Sequence, residues 1–355
     1  MTARCLLRAA ASCTAPGASR LLQSRAFCPD LVTRKMTSRR KTDHLERTAA
    51  NFRQMAAFPA TVCGIMNESE QVRRLRLAVT HPDFSFKAGQ WVDFFIPGVE
   101  KVGGFSICSS PALLRREGVI ELAVKYSQHP PAHWVHRQCT LDSQVAVRVG
   151  GDFFFDPAPL SRPVDLLLVA GGVGINPLYS ILMHAVDLQR ERLARGCGYE
   201  PGTVRLCYSA KSTQDLLFQK SIIQVCQEFP GKFFCDFHVT RQSQDVDQEI
   251  RPFINGGRIS EQVLKEHLQH TAGDRETLCY LCGPPPMIES VSEQLQRLGV
   301  ARDRILFEKW WPVVFQRTKA RVRLEPGPTA GPVRWRVPGG RAVPAAELSA
   351  LGSAD

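Results

Sequence analysis

The sequence predicts an antiparallel β-barrel followed by an α/β domain built on a doubly wound parallel sheet. Three observations carry that prediction. Between residues 60 and 156 the apolar residues fall in short alternating runs separated by Gly or Pro, the rhythm of antiparallel strands with one face on a core. After Ser161-Arg162-Pro163 the rhythm becomes buried strand and amphipathic helix in turn, the pattern of parallel crossovers. Two loops rich in glycine and proline, 171–177 and 282–287, each follow an apolar run and fall where parallel strands would end.

Taken in chain order, residues 1–36 carry Arg4, Arg8, Arg20 and Arg25 before the first acid, Asp30. With their Ala, Ser, Thr and Leu they have the composition of a mitochondrial presequence. Residues 37–59 read as a polar lead-in with some helical character. The barrel spans 60–160, with strands at 72–79, 90–96, 104–107, 119–125 and 144–149. The second domain spans 161–311. Its strands at 165–170, 204–209, 233–239 and 277–281 alternate with helices near 177–190, 214–228, 259–268 and 285–298, and a last strand falls around Arg304-Ile305-Leu306-Phe307. From Pro312 onward, six prolines among Gly, Arg and Ala mark 312–355 as a disordered tail.

The formal net charge of +11 suggests a nucleic-acid partner until it is divided along the chain. Nine Lys/Arg against Asp30 alone fall in residues 1–41, and seven against three acids fall in 312–355. The body between them is near neutrality, so it has no global electrostatic reason to seek phosphate backbones. No apolar run reaches the roughly 18 residues of a membrane span. The cysteines lack ligand spacing, and Cys279 and Cys282, three apart on a strand, would point to opposite faces, against a redox or zinc clip. No metal site is expected, and the histidines form no spaced cluster.

The two loops carry the chemistry. Leu166-Leu167-Leu168-Val169-Ala170 reads as a buried parallel strand. The glycines that follow permit the tight turn and close backbone approach that a pyrophosphate on a helix N-terminus requires. Leu278-Cys279-Tyr280-Leu281 reads as a second such strand. It ends in a cysteine, a glycine and three prolines, a stiff loop poor in backbone donors that suits a flat ring. In this order the pair points to a nicotinamide dinucleotide.

That arrangement of barrel, Gly-Gly-Val-Gly-Ile-Asn-Pro and Cys-Gly-Pro-Pro-Pro-Met resembles the ferredoxin–NADP reductase superfamily of flavin-linked, NAD(P)H-dependent electron transferases, from about Ala60 to Trp311. The segments starting at Lys87, Val102, Gly150 and Phe307 are similar to one mitochondrially assigned branch of it, whose substrate the resemblance does not supply. The resemblance implies a flavin-binding barrel. Gly104, Phe105, Ser106, Ile107 and Cys108 would form the flavin strand, with Phe105 as an aromatic face and Ser106 as the catalytic donor to the reactive ring nitrogen. Val124 and Lys125 would end the neighbouring strand.

Two phosphate devices of the superfamily are absent. Gly103 stands where an arginine belongs, and His129-Pro130-Pro131-Ala132 replaces a glycine and a hydroxyl-bearing helix cap. FAD, FMN and a transiently bound flavin therefore stay open. On the nicotinamide side, Gly171, Gly172, Val173, Gly174, Ile175, Asn176 and Pro177 match the pyrophosphate loop. Cys282 matches the cysteine beside the hydride-donating carbon, and Gly283, Pro284, Pro285 and Met287 complete its loop. Glu308 and Trp310 match a catalytic acid and a covering aromatic. Thr240, Arg241 and Lys211 fall where phosphate-preferring relatives read the 2′-phosphate, and NAD and NADP both stay open. The implied activity is hydride transfer from NAD(P)H to flavin, with electrons passed on to an acceptor the sequence does not name. The alternative is a non-catalytic NAD(P)H-binding sensor that has lost flavin.

Overall fold

The computed structural model describes residues 43–242, 245–269 and 275–309, with the backbone of Trp335–Arg336 and Ala342–Val343. The expected presequence, residue Trp310 and nearly all of the expected tail lie outside the described residues. Within the tail, Trp335–Arg336 and Ala342–Val343 pair as two short antiparallel strands. That pair is regular backbone where the sequence predicts none.

Six antiparallel strands make the first lobe: β1 (Phe58–Ser69), β2 (Val72–Ala78), β3 (Trp91–Phe95), β4 (Gly103–Ser106), β5 (Val119–Lys125) and β6 (Gln144–Gly150). They lie in the order β4-β3-β6-β1-β2-β5, and a bridge between Ile107 and Leu122 joins the two ends into a barrel. Its interior holds Val62, Leu75, Leu77, Val92, Phe94, Ile107, Leu122, Val147 and Val149, one face of each strand. Three helices flank it: α1 (His44–Arg47), α2 (Pro111–Glu117) and α3 (Pro130–Arg137). Ser110 caps α2, and Gly118 ends it in the left-handed conformation at φ 66°.

The second lobe is a six-stranded parallel sheet. Its elements are β7 (Asp165–Gly171), α4 (Ile175–Arg195), β8 (Val204–Ala210), α5 (Gln219–Glu228), β9 (Phe233–Val239), β10 (Ile254–Gly256), α6 (Glu261–Gln269), β11 (Thr277–Gly283), α7 (Pro285–Arg297) and β12 (Ile305–Lys309). The order β10-β9-β8-β7-β11-β12 reverses direction between β7 and β11. Ligands of doubly wound sheets bind at such a reversal, beyond the carboxyl ends of the strands. β7 is buried at every position, as a central parallel strand must be.

The two lobes share one core. Ala88, Cys108, Ala123, Phe153 and Phe155 of the first pack in the same cluster as Ala170, Ile175, Tyr179, Tyr208 and Cys282 of the second. α4 makes the seam. Asn176 Nδ2 donates to the Ala123 carbonyl at 2.7 Å, Ser180 Oγ to the Ser109 carbonyl at 2.7 Å, and Ser110 Oγ to Asp187 at 2.5 Å. Tyr280 closes the far side by donating its hydroxyl to the Phe154 carbonyl at 2.9 Å.

Candidate functional site

Both expected loops lie at the strand reversal, and they interlock. β7 ends at Gly171, a single turn of 3-10 helix covers Gly172–Gly174, and α4 starts at Ile175, two residues before the expected position. A Cβ on Gly171 would sit 2.7 Å from Met287 Sδ and 2.8 Å from Pro284 Cδ. On Gly174 it would enter the Cys282 carbonyl, and on Gly283 it would come within 3.1 Å of the Gly171 backbone. Gly172 differs: its φ is +55° and nothing stands within 4 Å of a Cβ there. That open side, beside a helix start with no side-chain cap, is where an anion can approach the backbone.

The structure brings Cys282 and Glu308 together as direct neighbours in the β11–β12 ladder, so both side chains face the barrel side of the sheet. Cys282 is fully buried in the core shared by the lobes. Cys279 belongs to the cluster on the opposite face, which bears out the argument against a CxxC site. Met287, in the first turn of α7, fills the space between the glycine loops.

On the barrel, Ser106 pairs with Trp91, and Phe105 pairs with Val92. The two residues therefore leave β4 on opposite faces, and a ring that touches both must lie across the end of the strand. The Ser106 hydroxyl makes no hydrogen bond among the described residues, so a donor is available there. Phe105 is half-buried, edge-on to Phe94 with ring centroids 5.4 Å apart. Gly103 leaves no room for a side chain: a Cβ would sit 2.8 Å from the Phe105 ring and 3.0 Å from Pro131. α3 begins with Pro130 and Pro131, and its N-cap His129 makes no side-chain hydrogen bond. Its first turn has lost two backbone donors as well as a hydroxyl.

Several expected site residues are packed into the cores or face other side chains. Ile107 and Val124 lie in the barrel interior, and Val124 offers only its carbonyl, which meets His136 Nε2 at 2.8 Å. Cys108 is enclosed where the lobes meet, and burial pushes its thiol well above the usual range. Ile175 and Pro177 are buried in the first turn of α4, Val173 packs partly against the same core, and Asn176 ties the lobes together. Gly104 faces a histidine of the lead-in, since a Cβ there would fall inside the His44 imidazole. Lys125, Thr240, Lys211 and Arg241 are exposed. The backbone holds the last two side by side, with the Arg241 amide donating to the Lys211 carbonyl at 2.7 Å.

One cluster escaped the sequence altogether. Asp93, fully buried on β3, accepts from Arg53 Nε at 3.0 Å and from Arg148 at 2.8 and 2.7 Å, and pairs with His44 Nε2 at 2.9 Å. Burial opposes ionisation of Asp93, but hydrogen bonds from His44 and Arg148 and the charges of Arg148 and Arg53 hold its carboxyl below the usual range. Its partners lie 40 to 55 residues away, so no local spacing announces them.

Comparison with known proteins fits this geometry. A family profile described as the oxidoreductase NAD-binding domain matches residues 168–293. Oxidoreductase NAD-binding domain-containing protein 1 of Danio rerio is 65% identical over 276 residues, covering 78% of this chain and all of that protein. The chain belongs to that family. Its Homo sapiens member is 57% identical over 280 residues, covering 79% of this chain and 88% of that protein. Among solved structures, a cytochrome P450 reductase from Amycolatopsis aligns with a TM-score of 0.57 at 23% identity, over 74% of this chain and 72% of that one. A ferredoxin NADP+ reductase from Neisseria gonorrhoeae with bound FAD and NADP aligns with a TM-score of 0.55 at 18% identity, over 72% of this chain and 99% of that one. At such identities the likeness establishes the ferredoxin-reductase-like fold.

Proposed function

We propose that this chain is an NAD(P)H-dependent oxidoreductase that passes hydride from a nicotinamide dinucleotide in the switch-point crevice to a flavin ring at the barrel edge. The flavin is taken as an exchangeable substrate, and an acceptor of its own later takes the electrons. The seam supports this reading: Cys282 and Cys108, two residues after Ser106, lie in one buried cluster, and Asn176 bonds to Ala123 of the barrel.

A tightly held FAD does not fit these residues. The space an arginine at 103 would need is filled by Phe105 and Pro131, and α3 offers a donor-poor first turn. Each missing charge-assisted bond is worth about 1.5–3 kcal/mol. The end of β4 retains what a flavin ring needs, the free Ser106 hydroxyl and an aromatic beside it. The reaction balances as NAD(P)H plus a proton plus oxidised flavin giving NAD(P)+ and reduced flavin. The open side of Gly172 and the start of α4 take the pyrophosphate, the Gly283 backbone meets the pyridine ring, and Ser106 donates to the flavin ring. Lys211 and Arg241 favour NADPH, since two exposed basic residues on hydrogen-bonded neighbouring backbone segments suit a 2′-phosphate. The same reading includes a mitochondrial location, supported by the basic, acid-poor composition of residues 1–36.

Complete burial of Cys282 supports a second reading, a dinucleotide-binding protein that transfers no hydride. One experiment separates the two. Full-length protein, NADPH and FMN are mixed without oxygen and the visible flavin band is followed. Bleaching that depends on the protein, with a lower KM for NADPH than for NADH, supports the proposal. Dinucleotide binding without bleaching by either cofactor supports the sensor.

A further inference from the structure

β4 is a weak element for a strand that bears a site. It is four residues long, begins with two glycines, and is hydrogen-bonded as a strand to β3 alone. Glycine pairs carry the largest backbone entropy, so such a strand does not hold its side chains in place unaided. Both of its faces are nevertheless filled. On one side the Phe105 ring and Pro131 close over Gly103, and on the other the His44 imidazole fills the space over Gly104.

His44 belongs to the lead-in, and the lead-in is firmly attached. Asp43 caps α1 in a capping box with Glu46. Arg53 forms a bridge to Gly150 of β6, the Gln54 amide donates to the Val149 carbonyl at 2.9 Å, and the Gly151 amide to the Phe52 carbonyl at 2.9 Å. Asn51 and the Phe52 amide reach Asp152 at 3.1 and 3.2 Å. Arg53 also bonds to the Thr48 carbonyl and hydroxyl, and its guanidinium lies 5.0 Å from the Trp91 ring centre. The His44 ring packs edge to face with the same tryptophan, the ring centroids 4.9 Å apart. Trp91 pairs with Ser106, and Asp93, which binds His44, pairs with Gly104. The strap and the site strand thus meet through two rungs on the same face of one ladder, with the Val92–Phe105 rung between them.

We propose that residues 43–54 form a clamp that holds β4 in the geometry its Ser106 end requires, with His44 as the positioning residue. The clamp acts by preorganisation: a site whose donor is already placed binds its ligand without first ordering the strand. It rests on the flavin reading above for its ligand, though not for its mechanics. It also requires that any N-terminal processing stop before Asp43.

The test compares four full-length variants with the parent: His44→Ala, Gly104→Ala, the double substitution, and Asn51→Ala, which loosens the strap without touching β4. Three quantities are read: FMN dissociation by fluorescence quenching, NADPH dissociation, and amide hydrogen exchange over 103–107. His44→Ala is expected to weaken FMN binding about tenfold, leave NADPH binding unchanged, and speed exchange over 103–107. Gly104→Ala should do the same by expelling the imidazole, and the double variant should be no worse than Gly104→Ala alone, because each removes the same contact. Asn51→Ala, which weakens the strap's attachment but keeps His44, should raise exchange over 103–107 and weaken FMN binding, each by less than His44→Ala. Unchanged exchange over 103–107 in His44→Ala, or additive losses in the double variant, would overturn the clamp. If the parent binds no FMN, the flavin reading fails, and hydrogen exchange alone decides the clamp.

Discussion

Glycine is required for different reasons at neighbouring positions of the candidate site. At 171, 174 and 283 the constraint is the opposite loop, whereas at 172 it is backbone shape in open space. Gly174→Ala should therefore cost about 1–3 kcal/mol, because the Cys282 backbone it meets cannot rotate away. A lowered melting midpoint and weakened dinucleotide binding check this together. Gly172→Ala should cost about 1–2 kcal/mol through its left-handed conformation and crowd the ligand without disturbing the crevice. At this scale the sequence showed where the glycines matter. It could not show that three of the four are held to glycine by each other's loops, since that contact joins residues about 110 apart. Gly104 illustrates the same limit: expected only as part of the flavin strand, it also makes room for His44, which stands 60 residues earlier.

α4 links the lobes, and its pairing side is spaced as a helix face requires, with Asn176, Ser180 and Asp187 all turned to the barrel. Asn176→Ala leaves the buried Ala123 carbonyl without its donor, at a cost of about 1–3 kcal/mol. The expected result is slower flavin bleaching with little change in dinucleotide affinity, read as a fall in kcat against a steady dissociation constant. His184 on the same helix supplies a pH test. Burial pushes its imidazole down to about 4, opposed by the charge of Asp156 and reinforced by that of Arg115. The unfolded chain protonates this group near pH 6.5 and the folded chain resists until about 4, so stability is complete above the first value and falls as pH drops toward the second. The loss is about 3 kcal/mol. Urea midpoints between pH 7 and 4 check it, and His184→Phe should flatten the profile.

Elements were unevenly legible. The second-lobe strands follow from continuous apolar runs. β1 was missed as a strand because Pro59, Gly64 and the polar residues from Asn67 to Ser69 break its alternation, and much of it is exposed. α3 was not assigned as a helix from periodicity, and only the resemblance placed a helix start near His129; Pro130 and Pro131 stand at its first positions, where prolines are well tolerated. α2 had its signals in plain view, a serine cap, a proline start and a glycine stop.

For the whole molecule, the order barrel then doubly wound sheet was written in the change of hydrophobic period, and so was the near-neutral body between two basic ends. The seam, the Asp93 cluster and the strap were not, because each joins residues from distant parts of the chain. Under the proposed function they are also what would turn two separate binding surfaces into one site. The pyridine ring and the flavin ring are brought together only if the crevice faces the end of β4. Deuterium on the donor carbon of NADPH tests that arrangement most directly. Under exchangeable flavin and without oxygen, the labelled cofactor should bleach FMN more slowly than the unlabelled one, and FMN should wash off the protein on desalting. Tight NADPH binding with no bleaching, or bleaching at the same rate as without protein, would contradict it.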